Sequence, residues 1–306
     1  MMNDPNAPGS PFFAGERWPP AAEQHVPLAR PVSVFDLPPQ RDIHPMLLLD
    51  ERRRDCLVDI GILLAFFAGL FLLNWLTAHA LLWLHEGFTA LPDVPRADDD
   101  TNLTPEQVRF AFLLTLVIGL VTVGVVTLIA KARGQRLAAL GLSTRALGWN
   151  LLLGAAATVL SFVAMWTGAL FIVLLVPGGM ELLQKNGDRL SEEIPPLGTV
   201  GMAIAFLCVG FYEEVAFRGF LMPRLRRATG SWMVAVIISS ALFAVAHMSS
   251  QVWVAVIPLF LVGLNLAIFA AIRRSLVPSI IGHWLFDLIN VLVLQHYLKS
   301  LGPVGM

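Results

Sequence analysis

The residues with the means to do chemistry lie in three apolar stretches. FYEEVAFRGF (211–220) holds Glu213, Glu214 and Arg218, ALFAVAHMSS (241–250) holds His247, and GHWLFDLIN (282–290) holds His283 and Asp287. Carboxylates and imidazoles exchange protons near neutral pH. Together they can activate water by general base catalysis, or hold a metal ion that does so. Residues four apart share a helical face, so Glu214 can pair with Arg218 and His283 with Asp287. Glu213 points about 100° away from Glu214 and is left without such a partner. A carboxylate of that kind inside a membrane is a functional candidate by default. In the competing local reading the helix ends here, Arg218 snorkels to the surface and both glutamates sit in water.

Elements that could position these groups follow from hydropathy. Hydrophobic residues make up 56% of the 306-residue chain and charged ones 14%, against about 45–50% and about 25% in soluble domains. The excess sits in long runs, which predicts an all-α, polytopic membrane helix bundle. The expected spans are 57–80, 108–130, 151–176, 199–221, 232–249, 252–272 and 276–298. That makes about seven transmembrane helices, with room for an eighth as a re-entrant or split piece. The Pro-rich segment 1–45 reads as a disordered cytoplasmic tail, with FDLPP (35–39) as a docking motif its only other reading. It has no apolar region that would make a cleavable signal peptide. Residues 46–198 read as N-terminal transmembrane helices, 199–298 as a catalytic core and 299–306 as a short tail.

Basic residues recur in alternate loops: Arg41, Arg52, Arg53 and Arg54, then Lys131, Arg133, Arg136 and Arg145, then Arg224, Arg226 and Arg227, then Arg273 and Arg274. The intervening loop 86–107 carries Asp98, Asp99 and Asp100, and 178–198 carries Glu181, Glu192 and Glu193. Positive loops face the cytoplasm, so the expectation is a cytoplasmic N-terminus in a plasma (inner) membrane. A net charge of −1 gives no reason to expect a nucleic-acid partner. Cys56 and Cys208 form neither a disulfide framework nor a CxxC site. Oligomeric state is not legible.

EEVAFR, FAVAH and HWLFD fit EExxxR, FxxxH and HxxxN/D, in that order, in successive parts of a helical membrane domain. In this the chain resembles the CPBP intramembrane protease family, the CAAX-protease and bacteriocin-processing group that includes Ras-converting endopeptidases. The resemblance spans about residues 199–298. It implies that Glu213 activates water, that Glu214 with Arg218 holds the helix, and that His247 and His283 line the cavity. Asp287 would take a place often held by Asn. An Asn could donate to an oxyanion, whereas Asp287 is suited to orienting His283 or adding charge to a metal site. Zinc held by His247, His283 and one carboxylate is one expectation, and a metal-free glutamate mechanism is the other. The substrate would be a membrane-associated, lipidated or leader peptide.

The rival reading is a proton-coupled transporter, or an immunity or chaperone-like membrane protein, using the same buried groups as a relay. No inverted repeat supports transport. Other polar residues read as structural: Asp59, Asn74 and His79 make helix–helix hydrogen bonds, and Asn265 packs or lines a cavity. HEGFT (85–89) is not HExxH. One mismatch stands: in upright spans His283 would lie about 10 Å deep and His247 about 23 Å.

Overall fold

A computed structural model describes residues 52–86, 105–135, 137–142, 146–194, 197–249 and 251–300, and the elements among them are helical. The segments 1–45 and 301–306 and the acidic loop around Asp98–Asp100 lie outside the described residues, as do the side chains of Asn74 and His79. The helices are α1 (Arg53–Glu86), α2 (Pro105–Ala132), α3 (Leu147–Leu175) and α4 (Gly179–Glu193). Then come α5 (Thr199–Glu214), a π-helical segment (Val215–Leu221), α6 (Met222–Thr229), α7 (Trp232–Ala246), α8 (Val256–Arg273) and α9 (Val277–Ser300).

Among the described residues, six stretches are long and apolar enough to cross a membrane: Arg53–Leu73, Val108–Ala132, Leu147–Leu175, Thr199–Thr229, Trp253–Arg273 and Val277–His296. Their outer faces leave large apolar side chains uncovered, Leu120 and Leu175 each 74% exposed, which suits hydrocarbon rather than water. This chain is therefore a multi-pass membrane protein built as a helical bundle.

The apolar segment expected at 232–249 is shorter than a span. Its α-helix has 15 residues, about 22 Å, and tightens into a 3₁₀ turn at His247–Ser249. The loop expected at 178–198 contains α4 instead. One face of that helix packs Leu182 and Leu183 against Ile172, Val252 and Val254, while Glu181, Lys185, Asp188 and Glu192 face outward.

Cross-helix contacts gather alternate loops at one end of the bundle. Asp59 of α1 takes an ion pair from Arg133, just after α2, at 2.8 Å and another from Arg224 of α6 at 2.9 Å. Asp59 and Arg224 are both fully buried. The Leu276 amide donates to the Gly141 carbonyl, and Arg273 donates to Asn150 at the start of α3. At the other end sits the apolar cluster that joins α3, α4 and the segment before α8. Asp59 is thus more than an ordinary hydrogen-bonding residue: one carboxylate ties three elements together. Asn265 donates to the Ala157 carbonyl and to Ser161, a packing role between α8 and α3.

Candidate active site

Glu213 and Glu214 close α5 just where the backbone widens. The Met222 amide bonds to the Phe217 carbonyl, five residues back, rather than four. Pro223 supplies a local reason, because in a regular α-helix its ring would collide with the carbonyl four residues earlier. Such π segments concentrate at functional sites. Beyond it α6 continues the same span to Thr229, and Gly230 turns the chain with a left-handed φ of 78°.

This hairpin removes the depth mismatch. Glu213 lies 17 residues before Gly230, and His247 lies 16 after Ser231. The two therefore return to one level. His283 is brought there by antiparallel packing of α9 on the same span. Gly210 lies against His283 and the Trp284 amide, and Gly219 against Leu276. A Cβ at Gly219 would stand 2.9 Å from the Leu140 carbonyl oxygen and 2.9 Å from Leu276, so only glycine permits this approach.

All six residues singled out from the sequence come together. Arg218 donates to Glu214 Oε1 at 2.9 Å and to the Gly263 carbonyl at 3.0 Å, with both charged side chains fully buried. Its guanidinium lies 4.4 Å from the centre of the Phe243 ring, a cation–π contact. His283 Nδ1 donates to the same Glu214 oxygen at 3.0 Å. Glu214 thus orients the imidazole, the task expected of Asp287. Asp287 Oδ2 instead stands 3.4 Å from His283 Nε2, on the edge that faces Glu213.

The ring hydrogens follow from the partners. His247 Nδ1 lies 2.9 Å from the Phe243 carbonyl oxygen, which can only accept, so Nδ1 carries the hydrogen and Nε2 the lone pair. His283 differs, because carboxylates face both of its ring nitrogens, Glu214 at Nδ1 and Asp287 at Nε2, so either nitrogen has an acceptor for a hydrogen. These two Nε2 atoms stand 3.9 Å and 3.8 Å from Glu213 Oε2, an oxygen with no hydrogen-bond partner among the described residues. Glu213 Oε1 accepts from the Tyr212 hydroxyl at 3.2 Å. The site thus presents Glu213 Oε2 and His247 Nε2 as neighbouring acceptors, suited to a water molecule that donates both of its hydrogens.

The zinc expectation on His247 and His283 finds no support in this spacing. Among the described residues no three His, Cys, Asp or Glu side chains come close enough to hold a metal ion. Ligand atoms around a tetrahedral zinc with bonds of about 2.0–2.1 Å lie roughly 3.3 Å apart, closer than either imidazole is to Glu213. The imidazoles, each held through Nδ1, are oriented as metal ligands often are, but as placed the set does not fit zinc.

Sequence reading passed over Tyr212, Phe243 and Gly263. Tyr212 is one of two tyrosines in the chain, and its place beside Glu213 was the one available signal. Phe243 is the F of FxxxH, yet nothing in that spacing says it lies under a guanidinium.

Residues 195–289 match the family model described as Type II CAAX prenyl endopeptidase Rce1-like. The match covers the glutamate pair, Arg218, both histidines and Asp287, and it bears out the resemblance drawn from the motifs. No curated protein and no solved structure shows a significant match to the chain.

Proposed function

We propose that the Rce1-like segment is the catalytic core of an endopeptidase that hydrolyses peptide bonds within the membrane, with Glu213 as general base. One observation carries this reading: the Nε2 atoms of His247 and His283 both lie within 4 Å of Glu213 Oε2. A water donating one hydrogen to Glu213 and the other to His247 Nε2 keeps an oxygen lone pair for the scissile carbonyl. Glu213 takes the proton as the C–O bond forms, then returns it to the amine as the C–N bond breaks. Arg218 and Glu214 hold His283 in place from behind.

The substrate in this reading is a membrane-associated peptide, either a lipidated tail or a leader segment. The N-terminus faces the cytoplasm of a plasma membrane, as the basic loops favour. A proton relay would use the same groups, but the family match favours hydrolysis.

The test uses purified protein in lipid vesicles with a farnesylated CAAX-type peptide carrying a fluorophore and a quencher. Glu213→Gln keeps the shape of the side chain and removes the base. Cleavage should fall at least about a hundredfold, at the scale of general base catalysis, with abundance and membrane insertion unchanged. Full cleavage by this variant would sink the mechanism. Chelator treatment should leave wild-type cleavage intact, whereas loss on stripping and recovery with zinc would favour the metal route.

A further inference from the structure

Glu213 has two oxygens, and they meet different surroundings. Oε2 faces the imidazoles, while Oε1 accepts from the Tyr212 hydroxyl at 3.2 Å. A carboxylate free to rotate would exchange the two and lose its aim at a bound water. Tyr212 is itself held, because its ring lies against Gly119 of α2 so closely that any Cβ there would overlap it. A phenol has few rotatable bonds, so a hydroxyl on a wedged ring is a stiff donor. Among the described residues it is the side-chain donor hydrogen-bonded to Glu213.

We propose that Tyr212 is a positioning residue: its hydroxyl, braced by α2 through Gly119, selects Oε2 of Glu213 as the oxygen that takes the proton from water. This rests on the glutamate-base reading. It gives α2, which contributes no group to the catalytic set, a direct mechanical link to that set.

Wild type, Tyr212→Phe, Gly119→Ala, their double variant and Glu213→Gln are compared in vesicles with the same farnesylated peptide. Tyr212→Phe keeps the ring and removes the donor. Its kcat should fall about 10- to 100-fold, the range for a hydrogen bond to a charged group, with KM within about twofold. Gly119→Ala displaces the ring and should lower kcat in the same direction. The double variant should be no worse than the poorer single one, since both act through one bond. Infrared spectra of the same samples give a reading that needs no turnover. The carboxylate band missing in Glu213→Gln should shift in Tyr212→Phe, and this decides the matter even if the peptide is left uncut. An inactive Glu213→Gln beside a fully active Tyr212→Phe would overturn the role of Tyr212 alone. An unshifted band, or additive losses in the double variant, would do the same. Cleavage that survives in Glu213→Gln overturns the base and its positioning together.

Discussion

Glu214 Oε1 serves two donors, the Arg218 guanidinium and His283 Nδ1. One buried oxygen thereby supports the fold and the site at once, and the two duties can be separated. Arg218→Met removes the cation and strands a fully buried carboxylate, which costs about 3–5 kcal/mol. Protein abundance in membranes should drop sharply. Adding Glu214→Leu removes the stranded charge, and replacing both partners by apolar groups is far less damaging than removing one. Abundance should therefore recover in the double variant while peptide cleavage stays lost, because His283 no longer has its acceptor. Abundance by immunoblot and cleavage by fluorescence check the two halves independently. If abundance fails to recover, the pair does more than balance charge.

At the level of elements, the site depends on how closely α9 lies along the span that contains α5, the π segment and α6. Gly210 and Gly219 mark that contact, but they are not equivalent. A Cβ at Gly210 would meet the Trp284 amide at 3.4 Å, an ordinary contact. At Gly219 it would press at 2.9 Å both on the Leu140 carbonyl, after α2, and on the Leu276 side chain just before α9. Gly210→Ala should therefore be close to neutral. Gly219→Ala should destabilise by about 1–3 kcal/mol, the usual range for overpacking, and should lower cleavage by moving His283 away from Glu213. Thermal midpoints measured in detergent and cleavage rates for the two variants decide this. Equal behaviour would mean that the helices slide without consequence, against the register described above.

For the whole molecule, contacts place the start of α1, the end of α2, the start of α3 and the end of α8 at one end of the bundle. These are the ends that carry the basic residues. Arg224 is fully buried and Arg274 nearly so, which shows that some loop arginines serve the protein interior as well as the membrane surface. The side of the membrane is open to a labelling test. With Cys56 and Cys208 changed to Ala, Gly134→Cys and Thr229→Cys should resist an impermeant thiol reagent added outside intact cells. Asp99→Cys and Gly187→Cys should react. Reaction at position 134 from outside would reverse the orientation drawn from the positive loops.

The candidate set was readable because it is written in local terms. Glu214 with Arg218 and His283 with Asp287 sit at the four-residue spacing of a helical face, and charge inside an apolar run is expensive enough to stand out. The spans were readable for the same reason, since hydropathy is summed along the chain. Helix α4 left a trace too: Leu182, Leu183 and Leu190 recur at helical spacing among charged residues, but the segment lacks the length and apolarity of a span. The remaining features needed the fold. Asp59 meets Arg133 and Arg224 across 74 and 165 residues, and Glu214 meets His283 across 69. No period within a helix encodes such pairs, because they depend on which helices touch and in what register. The level shared by Glu213 and His247 came from a hairpin whose first arm runs on through a π turn, and a straight-helix count could not anticipate it. Local periodicity thus singled out the candidate residues and the segments long and apolar enough to cross a membrane. Packing between helices decided which atoms face one another, because that choice is made by side chains far apart in the chain.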